Sequence, residues 1–295
     1  MKTTIPLFIL LLSATSASAQ DLSSLVAKNS TIEKVASGFS FTEGPAAATS
    51  GEIFFTDQPN NAIHIWNEKK GIRPFEVDGE RANGLYFNAD GDLVACADFR
   101  NKLIRITMYG EKTVLAASYD GKHLNGPNDL WIHPNGNIYF TDSYYHRNWW
   151  PEGHKQEQDC RGVYCLYPDG HLVRLIDDYK MPNGIIGTPD GTTLYVADIQ
   201  DGKTWKYTIR DNGTLSDKTF FAPEGSDGMT IDEKGNVYLT NNAVSVFAAD
   251  GHKIGELAVP ERPANVTFGG KNRKVLFITA RTSVYTIRMN VKGVK

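Results

Sequence analysis

The sequence predicts an all-β fold, a single six-bladed β-propeller. Two observations predict it. Short β-branched and aromatic runs recur along the chain, separated by Gly, Asn, Asp and Pro. They also recur at a steady period. GEIFFTD, GDLVACAD, GNIYFTD, TTLYVAD, GNVYLTN and KVLFITA align on Asp57, Asp98, Asp142, Asp198, Asn241 and Ala280, at spacings of 41, 44, 56, 43 and 39 residues. A period of about 40 with room for four short strands per unit marks propeller blades. Each run is followed by a second strand: AIHIWN, KLIRIT, VYCLYP, KTWKYT, VSVFAA and SVYTIR. Six such units fill residues 20–295 as one domain.

The elements follow in chain order. Lys2, the apolar run Ile5–Leu12 and the small-residue site Ala17-Ser18-Ala19 read as a secretory signal peptide over residues 1–19, cleaved before Gln20. No later stretch approaches the roughly 18 consecutive apolar residues that span a bilayer. The mature chain is therefore expected to be soluble, in the periplasm or outside the cell. Residues 21–30 are expected to give one short helical turn before the first blade. The 56-residue spacing holds an insertion, Ser143–Asp159, with the sequence SYYHRNWWPEGHKQEQD. It is polar and aromatic without a strand pattern, so it reads as a long loop over a functional face.

Composition narrows the partners. The chain has 31 Lys and Arg against 34 Asp and Glu, a net charge of −3. That balance leaves no footprint for nucleic acid and no polybasic patch for a membrane surface. Three cysteines in 295 residues exclude a disulfide scaffold. An oxidising compartment would permit a Cys160–Cys165 bridge, but so short a separation would have to bend back on the strand GVYCLYPDG. Free, buried thiols are the expected state.

A second register lies 14 or 15 residues before each aligned run: Glu43, Asn83, Asn128, Asn183, Asp227 and Asn265. Each precedes a short apolar or small-residue stretch that reads as the innermost strand of a blade. Six equivalent positions at the start of that strand would ring one end of the central channel. Any one Asn-Gly or Asp-Gly pair reads as turn punctuation. Six in register do not, because turns tolerate Ser, Gly or Pro equally well. Two carboxylates and four amides form an all-oxygen donor set, which suits a hard cation. One divalent cation is expected, Ca²⁺ first, with Mg²⁺, Mn²⁺ or Zn²⁺ as alternatives.

The stretches FTEGPAAATSGEIFFTD, LNGPNDLWIHPNGNIYFTD, MPNGIIGTPDGTTLYVAD, GSDGMTIDEKGNVYLT and ANVTFGG resemble the senescence-marker-protein-30/gluconolactonase family over the whole mature chain. The resemblance implies one divalent metal, often calcium, held by a Glu, two Asn and an Asp. Matched by motif these are Glu43, Asn128, Asn183 and Asp227, the set the spacing had reached. It also implies hydrolysis of lactones, usually sugar lactones, while related propellers cleave organophosphates. The chain departs from the family where many members carry Pro-Pro-Tyr-Gly; here Ser143-Tyr144-Tyr145-His146 stands in its place.

Opening a lactone needs a polarised carbonyl and a delivered water. Calcium acidifies water weakly, so a base is needed, and Asp227 can ligate with one oxygen and accept a proton with the other. Asp129 is the alternative base. Candidate substrate contacts are Asn83, Asn128, Asp129 and Asn265, joined by His146, Trp149 and Trp150 of the insertion, unless the insertion is only an apolar flap. No GxSxG, HExxH, GxGxxG or phosphate-loop motif offers another mechanism. Two other readings stand beside the small-molecule lactone: a metal hydrolase of another ester or organophosphate, and a non-catalytic ligand-binding propeller.

Overall fold

The computed structural model describes residues 21–76 and 78–294; the signal-peptide expectation falls outside the described residues. Six four-stranded antiparallel sheets, together with one two-stranded hairpin, account for the strands. Numbered in chain order, blades 1 to 6 begin with the inner strands Thr42–Ala47, Ala82–Phe87, Pro127–Ile132, Pro182–Gly187, Met229–Ile231 and Pro263–Gly269. The six-bladed propeller read from the period is the observed fold.

The second strand of each blade is buried almost end to end: Ile53–Asp57, Leu93–Ala97, Ile138–Asp142, Thr193–Asp198, Val237–Thr240 and Val275–Ala280. Neighbouring blades cover both its faces, so these strands read as continuous apolar runs and not as alternations. The resulting core is a series of clusters between blades, rich in aromatics such as Phe54, Phe140, Tyr164, Tyr238 and Phe277.

One strand lies where a simple count of repeats did not put it. Glu33–Ser37 pairs with Ser283–Arg288 as the outer strand of blade 6, with Glu33 opposite Thr286 and Ser37 opposite Ser283. The two ends of the chain thus close one sheet. The expected helical turn before it is Leu22–Leu25, capped by the Asp21 side chain accepting from the Ser23 N–H at 3.3 Å.

The aspartates that align the repeat are structural. Asp57 accepts the backbone N–H groups of Ser40 and Phe41, Asp142 those of Asn125 and Gly126, and Asp198 those of Lys180 and Met181. Each ties the end of the second strand to the loop entering its own inner strand. Asp98 breaks the pattern: it accepts from Arg147 Nε at 2.6 Å and Gln58 Nε2 at 3.0 Å. The insertion has no strand and is pinned by this pair, by Trp150 Nε1 donating to the Asp98 carbonyl at 2.9 Å, and by Gln158 Nε2 donating to the carbonyls of Tyr119, Lys122 and His123. All three cysteines are free, and Cys96 and Cys165 are buried.

Candidate active site

The ring residues sit at breaks in strand register. Pairing of inner to second strand skips between Glu43 and Ala46, Ala82 and Leu85, Pro127 and Leu130, Pro182 and Ile185, and Pro263 and Asn265. Such bulges twist a strand and re-aim its side chains. In blade 5, Asp227 precedes the strand; its N–H donates to the Thr240 carbonyl at 2.9 Å. Glycine follows four ring residues, and two cases show why. Gly44 has φ 45°, and a Cβ there would lie 1.9 Å from the Asn83 carbonyl oxygen. A Cβ on Gly228 would lie 1.9 Å from the Asn265 side chain. These Asn-Gly-like pairs are close approaches between blades, not turns. In the glycine's place blade 6 carries Val266 and blade 3 carries Asp129, whose carboxylate lies against Gly84.

A cavity of about 280 Å³ opens at this end of the channel, lined by Glu43, Asn83, Asn128 and Asp227 with Tyr145 and Arg147 of the insertion. Phe41, Ile199, Arg262 and Arg281 extend its wall. Asn183 joins through its neighbours: its Nδ2 donates to Asp227 Oδ1 and to Tyr145 Oη, both at 2.8 Å. Asn265 and Asp129 do not line the cavity. Asn265 Oδ1 accepts from the Val266 N–H at 2.8 Å, and Asp129 Oδ1 from the Leu130 N–H at 2.9 Å.

The electrostatics are those of charges held out of water. Burial, reinforced by the Asp227 carboxylate, pushes Glu43 well above the usual range. Burial raises Asp227 to about 6, opposed by the Asn183 hydrogen bond and by the charges of Arg262, Arg147 and Arg281. Asp129 rises to about 7, again through burial first. Burial also raises the Tyr145 phenol, so it stays a neutral donor.

A divalent cation fits these residues. Both Asn183 amide protons are used, yet its Oδ1 is buried with no partner among the described residues. That orphan acceptor belongs to the amide that holds Asp227, and Asp227 and Glu43 raise one another's cost. Among the described residues no group of three His, Cys, Asp or Glu could hold a metal. A cation held here would need amide oxygens beside the Glu43 and Asp227 carboxylates, and the cavity wall offers those of Asn83 and Asn128.

The insertion contributes differently than expected. His146 is exposed, and none of His146, Trp149 and Trp150 lines the cavity. Trp150 is buried, with its ring tilted against that of His154 at 4.1 Å. Trp149 lies between the guanidinium groups of Arg81, at 4.7 Å, and Arg147, at 5.4 Å. Tyr145 and Arg147, on either side of His146 in sequence, are the insertion residues that reach the cavity. Phe41, Ile199, Arg262 and Arg281 had no sequence signal: they come from loops whose approach to the axis is a tertiary fact.

A six-bladed propeller with an oxygen-rich site at one end of its channel is the class this geometry defines. The chain belongs to the SMP-30/Gluconolactonase/LRE-like family, whose region matches residues 41–282. It is 29% identical over 293 residues to a gluconolactonase of Zymomonas mobilis, covering 89% of this chain and 82% of that one. Its fold is similar to that of a gluconolactonase from Xanthomonas campestris, with a TM-score of 0.84, 28% identity, and 91% and 92% of the two chains covered. It is also similar to a calcium-binding regucalcin of Agrobacterium tumefaciens, with a TM-score of 0.73, 21% identity, and 87% and 92% coverage; at that identity the likeness speaks for the fold alone.

Proposed function

We propose that the protein is a metal-dependent lactonase that opens the ester of a sugar lactone, with Asp227 as base. The observation that carries the reading is the Asn183–Asp227 contact at 2.8 Å, with Asn183 Oδ1 left unpartnered beside it. The gluconolactonase relatives support the substrate class. Export by residues 1–19 to the periplasm or medium is part of the same proposal.

Glu43, Asn128, Asn183 and Asp227 would hold the cation, which when bound supplies Lewis-acid polarisation of the lactone carbonyl. The chain does the rest. Asn183 fixes one Asp227 oxygen, leaving the other to take a proton from the attacking water. Water's oxygen bonds to the carbonyl carbon, and the ring C–O bond breaks. The proton on Asp227 returns to the departing alkoxide, leaving the hydroxy acid. Tyr145 accepts from Asn183, so its own hydroxyl proton is free to donate to a substrate oxygen. Asn83 and Asn128 offer amide groups to ring hydroxyls, and Arg147 lies alongside, held by Asp98.

The test is turnover of a panel of neutral sugar lactones with and without exhaustive chelation, alongside metal analysis of the purified protein. Turnover lost on chelation and restored by added Ca²⁺ supports the reading. Full activity in protein free of metal overturns its metal-dependent half, and no turnover of any lactone overturns the whole.

A further inference from the structure

Two arginines on the cavity wall make no ion pair among the described residues, although their charges reach Asp227. Of the three guanidinium groups there, that of Arg147 is paired with Asp98 at 2.6 Å. Arg262 donates only to neutral acceptors, from Nε to the Asn241 carbonyl at 3.1 Å and from Nη2 to Asn241 Oδ1 at 2.9 Å. The Arg281 guanidinium makes no hydrogen bond or ion pair among the described residues and lies over the Phe41 ring at 5.9 Å. The nearby Glu261 is engaged elsewhere: it accepts from Ser283, Tyr285, the Thr282 N–H and Lys34. The carboxylates that line the cavity are Glu43 and Asp227, both committed to the proposed cation.

The placement of Arg281 is costly in itself. Pro263 and Ala280 form the last register pair of their two strands, and Arg262 and Arg281 flank that pair outside the strands. Arg281 is left-handed, with φ 50°, a conformation that Asn or Gly adopts at less cost. Its carbonyl accepts the Thr42 N–H at 2.8 Å, which fixes it at the junction of blades 6 and 1. Two exposed arginines on the wall of one cavity can turn their guanidinium groups onto a single anion.

We propose that Arg262 and Arg281 form an anion-recognition subsite, and that the preferred substrate is a lactone carrying a second, ionised group, a carboxylate or phosphate, remote from the reacting ester. The proposal rests on the lactonase reading and adds the substrate class. A neutral lactone would leave the arginine pair unanswered, while an acidic one closes a charge-assisted contact and is oriented by it.

The experiment compares kcat/KM for glucono-δ-lactone, glucarolactone and phosphogluconolactone in wild-type protein, Arg262→Gln, Arg281→Gln and Arg281→Lys. A charge-assisted contact is worth about 10- to 100-fold. Wild-type protein should favour an acidic lactone by that order, with glucarolactone or phosphogluconolactone identifying the anion. Each Gln variant should lose most of that preference while glucono-δ-lactone turnover falls far less; Arg281→Lys should restore part, and added salt should erode the wild-type preference. Equal losses on all three lactones would show that the arginines merely serve Asp227 and would overturn the proposal, as would no wild-type preference for either acidic lactone. If no lactone is turned over, the lactonase reading fails, and calorimetry decides the subsite separately. Glucarate binding that exceeds glucitol binding and is lost in Arg281→Gln supports it; equal binding of the two overturns it.

Discussion

The two ends of the central channel are built from the same six blades and differ in size and openness. Where the inner strands begin, Glu43, Asn83, Asn128 and Asp227 face a solvent-open cavity of about 280 Å³. A few residues on, Ala46, Tyr86, Phe87, Ile186 and Ile231 enclose a space of only about 60 Å³, with Arg273 and Val294 among its walls. The C-terminal segment closes this far end. Val294 N donates to the Ile231 carbonyl, Gly293 N to that of Arg273 and Glu233 N to that of Lys292. Raised carboxylate pKa values at the first end mean that folding works against those charges. Apolar burial and satisfied backbone groups at the other end help offset that cost. Charges held at a cost and the packing that offsets it thus sit at opposite ends of one set of strands.

The sharpest way to break this division is Asp227→Asn. The amide keeps an oxygen for the cation but cannot take a proton. At saturating Ca²⁺, kcat should fall about 10²–10⁴-fold, the usual cost of removing a general base. The protein should stay folded and metal-loaded, by circular dichroism and metal analysis. Asp129→Asn, which alters a carboxylate outside the cavity wall, should cost less. Near-wild-type kcat in Asp227→Asn would make Asp227 a ligand only and pass the base role to Asp129 or to a metal-bound water acting alone.

Metal removal should show the cost of the charged end as a function of pH. Asp129 at about 7 and Asp227 at about 6 stand above their ordinary 3.8 in the folded state, and Glu43 is raised as well. A carboxyl raised on folding binds its proton more tightly in the folded state. Its stabilising contribution is complete at low pH and is lost as pH climbs through about 6 to 7. Asp98 at about 6 and Asp142 at about 7 add to the same slope with or without metal. A bound cation favours the ionised forms of its own ligands. The Tm gap between Ca²⁺-loaded and chelated protein should therefore widen from pH 5 to pH 8. Parallel Tm curves across that range would separate the raised carboxyls from the metal site.

How much of this division was visible in the sequence differs between its ends. The fold was legible because blade packing demands apolar runs at a fixed period. The ring was legible because the residues facing the axis fall in a fixed register with those runs. The strand Glu33–Ser37 was missed because its partner lies at the far end of the chain, beyond any local pattern. His146 was favoured over Tyr145 and Arg147 because composition marks the insertion as functional without saying which side faces inward. Arg262 and Arg281 are invisible until Pro263 and Ala280 are known to pair. Asp129 and Asn265 share the sequence pattern of the site yet point below it, into contacts with Gly84 and Gly228 that only the assembled blades reveal.

The far end can be weakened alone. A Cβ on Gly293 would sit 2.0 Å from the Phe268 Cβ, so Gly293→Ala must push the C-terminal segment off the channel. Overpacking of this kind costs about 1–3 kcal/mol. Denaturant unfolding should register that loss while kcat and KM on a good lactone stay at wild-type values. A matching fall in kcat would mean that strain at the closed end reaches the ring, and the two ends would then be one unit.

The smallest expected effect tests how the insertion joins the charged end. Trp149 does not line the cavity, but its ring is held between Arg81 and Arg147. Arg147 does line it, stacked on Tyr145 at 5.3 Å and paired with Asp98 at 2.6 Å. The ion pair sets where the guanidinium goes; the indole removes its freedom to swing. Trp149→Ala leaves the ion pair intact and removes only the stacking, which for a partly exposed cation–π contact is worth about 0.5–1 kcal/mol. An Arg147 that contacts substrate equally in ground and transition states would put the loss on KM, which should rise about two- to fivefold with kcat and metal content unchanged. Asp98→Asn removes the anchor itself and should raise KM further. A Trp149→Ala protein with wild-type KM but reduced stability would make the insertion a packed flap and leave substrate recognition to the ring and the rim arginines.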